Sequence, residues 1–322
     1  MQADAPEGIS APAHRPRTAP GPSLLAPGTA RDPHRLYRAL RATYPLSYDA
    51  PLGAWLVSRY ADVVTALTDP RFTGLPHDAV PRGGPAPLGL CHGGPRCAAP
   101  GPAAPPHGAV ARIERTAYVL ARRIAGRRQA DLAEEFCRWL PLGAATTAHT
   151  HPYPVLPGPS PCTRHTGLRA TALASFLANV LDTPGLPDVL RTEPALADRA
   201  WTESLRRDPP VQMVLRRTTA EVVLSGGTLP AGAYVACLTG SAGRDPERFA
   251  APGLFDPFRT DQGSLLTGPA SCPAVLLGRL EARHGLRALL DAMPRLRWAD
   301  GFRPVRAGLL TRGPRTLLVR PG

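Results

Sequence analysis

Prolines decide where this chain can be helical. There are 40 of them in 322 residues, and each one inside a helix removes a hydrogen bond and crowds the preceding turn. With glycine they crowd into residues 1–30, 73–106 and 143–166. The first stretch reads as a disordered leader and the other two as irregular connections. What remains can fold. Asp32-Pro33 opens a helix, because Asp caps well and Pro suits the first turn, with Leu36, Leu40 and Tyr44 as its buried side. Residues 55–60 read as a strand and 61–67 as a short helix. Residues 109–142 form a helical block with a break at Gly126, and Ile113, Tyr118, Leu120, Ile124, Leu132, Phe136 and Leu140 are its core positions. Helices follow at 167–181, 187–198 and 199–207, strands at 211–224 and 234–238, and a last helix runs from behind Cys272 to Met293.

Charge and cysteine usage narrow the function classes. The net charge is +13, carried by Arg with no Lys. These residues are spread along the chain with few aromatics among them, so a nucleic-acid partner is not expected. No apolar run is long enough to span a bilayer, and the first residues lack a hydrophobic signal core. The expectation is a soluble, cytoplasmic protein with no membrane partner. Its six cysteines, at 91, 97, 137, 162, 237 and 272, make no CxxC pair and no disulfide framework.

Two clusters carry chemistry. Cys272 stands in a small-residue loop directly before a helix-favouring apolar run. A thiolate is favoured at a helix N-terminus, and an axial Cys thiolate on haem iron is one use of it. A lone cysteine is equally a small buried apolar residue. Upstream, Glu203 and Arg206 lie three apart on one helix face and can pair.

Order and spacing bring these together. Trp201-Thr-Glu-Ser-Leu-Arg-Arg-Asp-Pro-Pro is followed by Val-Gln-Met-Val-Leu-Arg-Arg, by Gly243-Arg-Asp-Pro-Glu-Arg-Phe and by the Cys272 loop. This run resembles the C-terminal half of a cytochrome P450, the haem-thiolate monooxygenase family. Asp32-Pro-His-Arg-Leu-Tyr and Trp55-Leu-Val-Ser-Arg-Tyr-Ala-Asp-Val-Val resemble that family's opening elements. The resemblance implies a single domain over 31–322, mainly α with small β-sheets, in a cytochrome P450 fold. It also implies that most of the distal lid helices are absent, because residues 143–166 stand where they belong.

It further implies roles for single residues. Cys272 would ligate haem iron, with Gly268 in the same loop. His92 and Arg96 match a pair that binds one haem propionate, and Arg216 matches the arginine that approaches the other. Glu203 and Arg206 would form a structural network with Arg248 of Pro-Glu-Arg-Phe. The helix at 167–181 resembles the one crossing the distal face of haem, where an acid and a Thr manage protons. Here those positions are Arg169 and Ala170, and only the next hydroxyl, Thr171, remains. The loop departs too: Leu265 and Leu266 replace an aromatic and a Gly, Ala270 a basic residue, and Ala274 a Gly.

The leading expectation is a haem-thiolate oxidoreductase of monooxygenase type. It would act on a small organic, secondary-metabolite substrate, with electrons from a ferredoxin and its reductase. A peroxide-using variant is the other active form, since some members with that habit carry an Arg at the place of Arg169. The alternative is a catalytically inactive homologue that serves as partner of another biosynthetic enzyme, such as a glycosyltransferase. A decayed gene is the third reading.

Overall fold

In the computed structural model, residues 22–74, 108–146, 166–263, 265 and 273–322 are described. The helices among them are α1 (His34–Thr43), α2 (Tyr60–Thr68), α3 (Ala109–Ala125), α4 (Trp139–Thr146), α5 (Thr166–Asp182), α6 (Leu186–Thr192), α7 (Ala197–Arg207), α8 (Thr239–Ala242) and α9 (Pro273–Ala292). The strands are short, from β1 (Leu46–Asp49) to β12 (Leu318–Arg320).

The largest sheet has five strands in the order β1, β2 (Ala54–Val57), β8 (Tyr234–Cys237), β5 (Val214–Thr218) and β3 (Phe72–Gly74). β2 and β8 pair parallel, with Trp55 opposite Val235, and every other pairing in this sheet is antiparallel. Val57, Val214, Val235 and Cys237 bury one side of it. The main core is helical: α3, α4, α5, α7 and α9 share Ile113, Phe136, Leu140, Phe176, Trp201 and Leu289. Burying a large apolar side chain of this kind contributes about 1.5–3 kcal/mol.

Several elements differ from the sequence reading, each for a local reason. The buried face of α1 is Tyr37, Leu40 and Arg41, while Tyr44 caps the helix and is exposed. Residues 187–198 break at Glu193, because the residue before a proline is pushed out of the helical region, and Pro194 starts a 3₁₀ turn. Residues 211–224 divide into β5 and β6 (Val222–Leu224). Beyond Gly126 the chain makes a two-residue strand and a π-helical turn (Ala133–Cys137) before α4 begins. Leader disorder was expected through residue 30, yet residues 22–30 are packed down. The Leu24 side chain is buried, and Asp49 accepts hydrogen bonds from Ser23 Oγ (2.8 Å) and Leu24 N (2.7 Å). Of the stretches expected to be irregular, 73–106 and 143–166, residues 73–74 belong to β3, 143–146 to α4 and 166 to α5; the remainder of both, and the rest of the leader, lie outside the described residues.

Candidate functional site

The retained part of the site is the charge network at the end of α7. Helical spacing places Glu203 and Arg206 on one face, and both side chains are fully buried. Arg206 Nε and Nη2 donate to the two Glu203 oxygens, each at 2.7 Å. Arg206 also donates to the carbonyls of Gly243, Pro252 and Leu254. The third member corrects the sequence reading. Arg259, not Arg248, reaches Glu203, with Nε 3.0 Å from Oε1, and Asp256 N donates to the same oxygen. Arg248 is exposed and stacks over Tyr60 and Phe249 instead. The network leaves no room around it: a Cβ on Gly243 would stand 2.1 Å from the Arg206 carbonyl oxygen.

Arg169, Ala170 and Thr171, which the resemblance sets at the distal positions, are built differently. Arg169 is buried on α5 and points at α9, where its Nη1 lies 3.0 Å from Glu281 Oε1, and its Nη2 donates to Pro141 O. The two charges are close but poorly aligned. Arg169 Nε and both Glu281 oxygens have no hydrogen-bond partner. Burial pushes the Glu281 carboxyl up from 4.5 to about 7, against the opposing pull of Arg169. Ala170 carries no hydroxyl. Thr171 spends its hydroxyl on the Gly167 carbonyl of the preceding turn. Its methyl abuts the C-terminal segment so closely that a Cβ on Gly313 would come within 2.5 Å of it.

Arg216 is buried on β5, beside the Cys237 thiol. Cys272, Gly268, His92 and Arg96 lie outside the described residues. Among the described residues the thiols are Cys137 and Cys237, both buried. Burial holds both in the neutral form, with Cys237 pushed up to about 12, so neither supplies a thiolate. No group of three or more His, Cys, Asp or Glu among the described residues could hold a metal ion, and no described helix is long and apolar enough to cross a membrane.

Haem is the cofactor that the sequence resemblance implies. Of the residues that the resemblance sets around it, Cys272, Gly268, His92 and Arg96 lie outside the described residues, and Arg216 is buried on β5. At the positions that the resemblance sets on the distal helix, the groups are a guanidinium beside Glu281, a methyl and a hydroxyl bonded to its own helix.

Sequence reading missed Glu281 and Arg259. A signal existed for Glu281, a lone carboxylate on the apolar run behind Cys272, since buried charges demand partners. Arg259 sits in irregular chain with no periodicity to place it.

The cytochrome P450 family model matches residues 192–266. Protein DesVIII of Streptomyces venezuelae is 45% identical over 131 residues, 39% of this chain and 32% of that protein. Cytochrome P450 107B1 of Saccharopolyspora erythraea is 40% identical over 152 residues, 44% of this chain and 37% of the relative. The matches thus span about a third of the length of these curated relatives. A solved structure from work on unusual cytochrome P450-like monooxygenases of microbial secondary metabolism superposes with a TM-score of 0.72 at 20% identity. That alignment covers 91% of this chain and 99% of the other. At that identity the likeness establishes the fold.

Proposed function

We propose that this chain, which matches the cytochrome P450 family model over residues 192–266 and shares that fold, is a non-catalytic homologue, a partner of another biosynthetic enzyme such as a glycosyltransferase. One observation carries the reading: Arg169 is buried at ion-pair distance from Glu281, at the place where an oxygen-activating member keeps a proton relay. Splitting a bound peroxide needs two protons delivered to one oxygen. A guanidinium does not release a proton in the working range. What the chain keeps is scaffold: the Glu203–Arg206–Arg259 network and the helical core, which hold a surface in shape without performing chemistry.

The test measures two things on the purified chain. With NADPH, ferredoxin and reductase, we expect no substrate oxidation above the level without the chain. With a glycosyltransferase expressed alone or together with the chain, we expect higher soluble yield and activity in the second case. Tight coupling to product, with no effect on the transferase, would overturn the proposal.

A second reading, haem-thiolate oxidation of a small organic substrate by way of Cys272, draws on Arg216. It stays buried at the position that would approach a haem propionate. A red-shifted Soret band in the reduced, carbon-monoxide-treated protein, lost in Cys272→Ser and kept in Cys137→Ser, would favour it. Peroxide should then support turnover better than oxygen does.

A further inference from the structure

A second polar cluster lies apart from the distal positions, where the C-terminal segment meets the end of α7. Four buried polar atoms there lack any hydrogen-bond partner: Asp208 Oδ2, Arg306 Nε, Arg312 Nε and His34 Nδ1. They belong to one electrostatic group. Asp208 Oδ2 is 3.9 Å from Arg306 Nε and 3.4 Å from an Arg207 nitrogen, while Asp208 Oδ1 accepts from Arg244 Nη2 at 2.7 Å. His34 and Arg312 both interact with Asp208. Arg306 is held in place from its other end, by Asn179 Oδ1 at 2.7 Å.

Charge and hydrogen bonding leave the same deficit. Four guanidinium groups, on Arg207, Arg244, Arg306 and Arg312, share the buried Asp208, with Asp182 and Asp32 further out. His34 adds no negative charge. Burial and Arg244 hold its pKa down at about 4, so the ring is neutral. An uncompensated buried charge and an unmade hydrogen bond are each costly. The cluster borders solvent: the Arg207, Arg244 and Arg306 side chains are 16–23% exposed, while the four unpartnered atoms are buried beneath them.

The unpartnered atoms define what would complete the cluster. Two are N–H donors and want an acceptor. Asp208 Oδ2 is an acceptor and wants a proton. The 3.9 Å between Arg306 Nε and Asp208 Oδ2 is too long for a direct bond, and suits two adjacent oxygens of one ligand, one bare and one protonated. We propose that this cluster binds hydrogen phosphate, whose bare oxygens accept from the arginines and whose O–H donates to Asp208. Sulfate and carboxylates offer charge but no proton at neutral pH. A phosphate monoester, with its second pKa at about 6, has also lost its proton by pH 7.5. The ion would tie α1, the end of α7 and the C-terminal segment together. This inference does not depend on the proposed function.

The experiment is thermal melting of the full chain at pH 7.5 and constant ionic strength. It is titrated with inorganic phosphate, sulfate or methyl phosphate. Phosphate should raise Tm in proportion to the logarithm of its concentration above Kd, by about 5 °C at a hundredfold excess over Kd. Sulfate and methyl phosphate should do little, and Arg306→Gln should flatten the phosphate response. If Arg306→Gln does not fold, the wild-type selectivity among the three anions decides alone. No shift with phosphate would mean that water fills the gaps. Equal shifts from all three anions would mean a general salt effect. Either result overturns the site, and so does a full phosphate response in a folded Arg306→Gln.

Discussion

Two buried glutamates in this protein each face an arginine, and they have opposite fates. Glu203 receives four hydrogen bonds, from two arginines and a backbone amide, and both its oxygens are satisfied. Glu281 has one arginine at ion-pair distance and no aligned hydrogen bond. Removing two charges from water costs several kcal/mol per ion, and Coulomb attraction repays it only when the remaining donors and acceptors are also filled. The first pair meets that condition and ties down the turns from Gly243 to Arg259. The second does not, and its carboxyl is driven toward neutrality. The difference separates a pair that fixes geometry from one that leaves a buried carboxyl without a hydrogen-bonded partner.

The sharpest way to break this comparison is Glu203→Ala. It strands Arg206 and Arg259 as buried cations and should cost roughly 3–5 kcal/mol, read by denaturant unfolding or as loss of soluble protein. Near-wild-type stability would mean that the network is dispensable.

The next effect is on pH. The Glu281 carboxyl is raised from 4.5 to about 7, so between those values the native state holds a proton that the unfolded chain has released. Its contribution is fully present below 4.5 and is lost as pH rises through 7, on the order of 3 kcal/mol in all. Subtracting the profile of Glu281→Gln from that of wild type should isolate this slope. A flat difference would show that the carboxyl stays ionised.

Replacing both charges sharpens the contrast. Arg169→Met with Glu281→Leu should be neutral or stabilise by about 1–4 kcal/mol, as poorly bonded buried pairs do when made apolar. The same exchange at Arg206 and Glu203 should destabilise, because three backbone carbonyls then lose their donor. The smallest effect is expected at Arg248. Its stacking over Tyr60 and Phe249 is worth about 1 kcal/mol, whereas Arg259→Ala should cost about 2–3 kcal/mol. Equal costs would put both arginines in the network.

These cases show what was legible in the sequence. Glu203 and Arg206 were, because their relation is local: three residues on one helix. The helical blocks were, because prolines and apolar periodicity mark them. Arg259 was not, since residues 243–263 turn without a period, and which arginine swings back depends on the turns. The pairing of Arg169 with Glu281 joins positions 112 residues apart (281 − 169) and leaves no local trace. The anchoring of Leu24 by Asp49 failed for the same reason: a proline-rich leader looks disordered until a distant carboxylate accepts its amide.

The parallel pairing of β2 with β8 also has a consequence in time. Val57 and its partner Cys237 are 180 residues apart (237 − 57). At 5–20 residues per second, the inner edge of the β1–β2 hairpin therefore waits roughly 10–40 s on the ribosome before its neighbour is made. Contacts of such long range close slowly, and an unpaired strand edge invites pairing with other chains. Ala54, Leu56 and Val57, all buried at the end, are exposed during that wait. Yield from a cell would then follow what shields one four-residue strand during synthesis more closely than the stability of the finished fold.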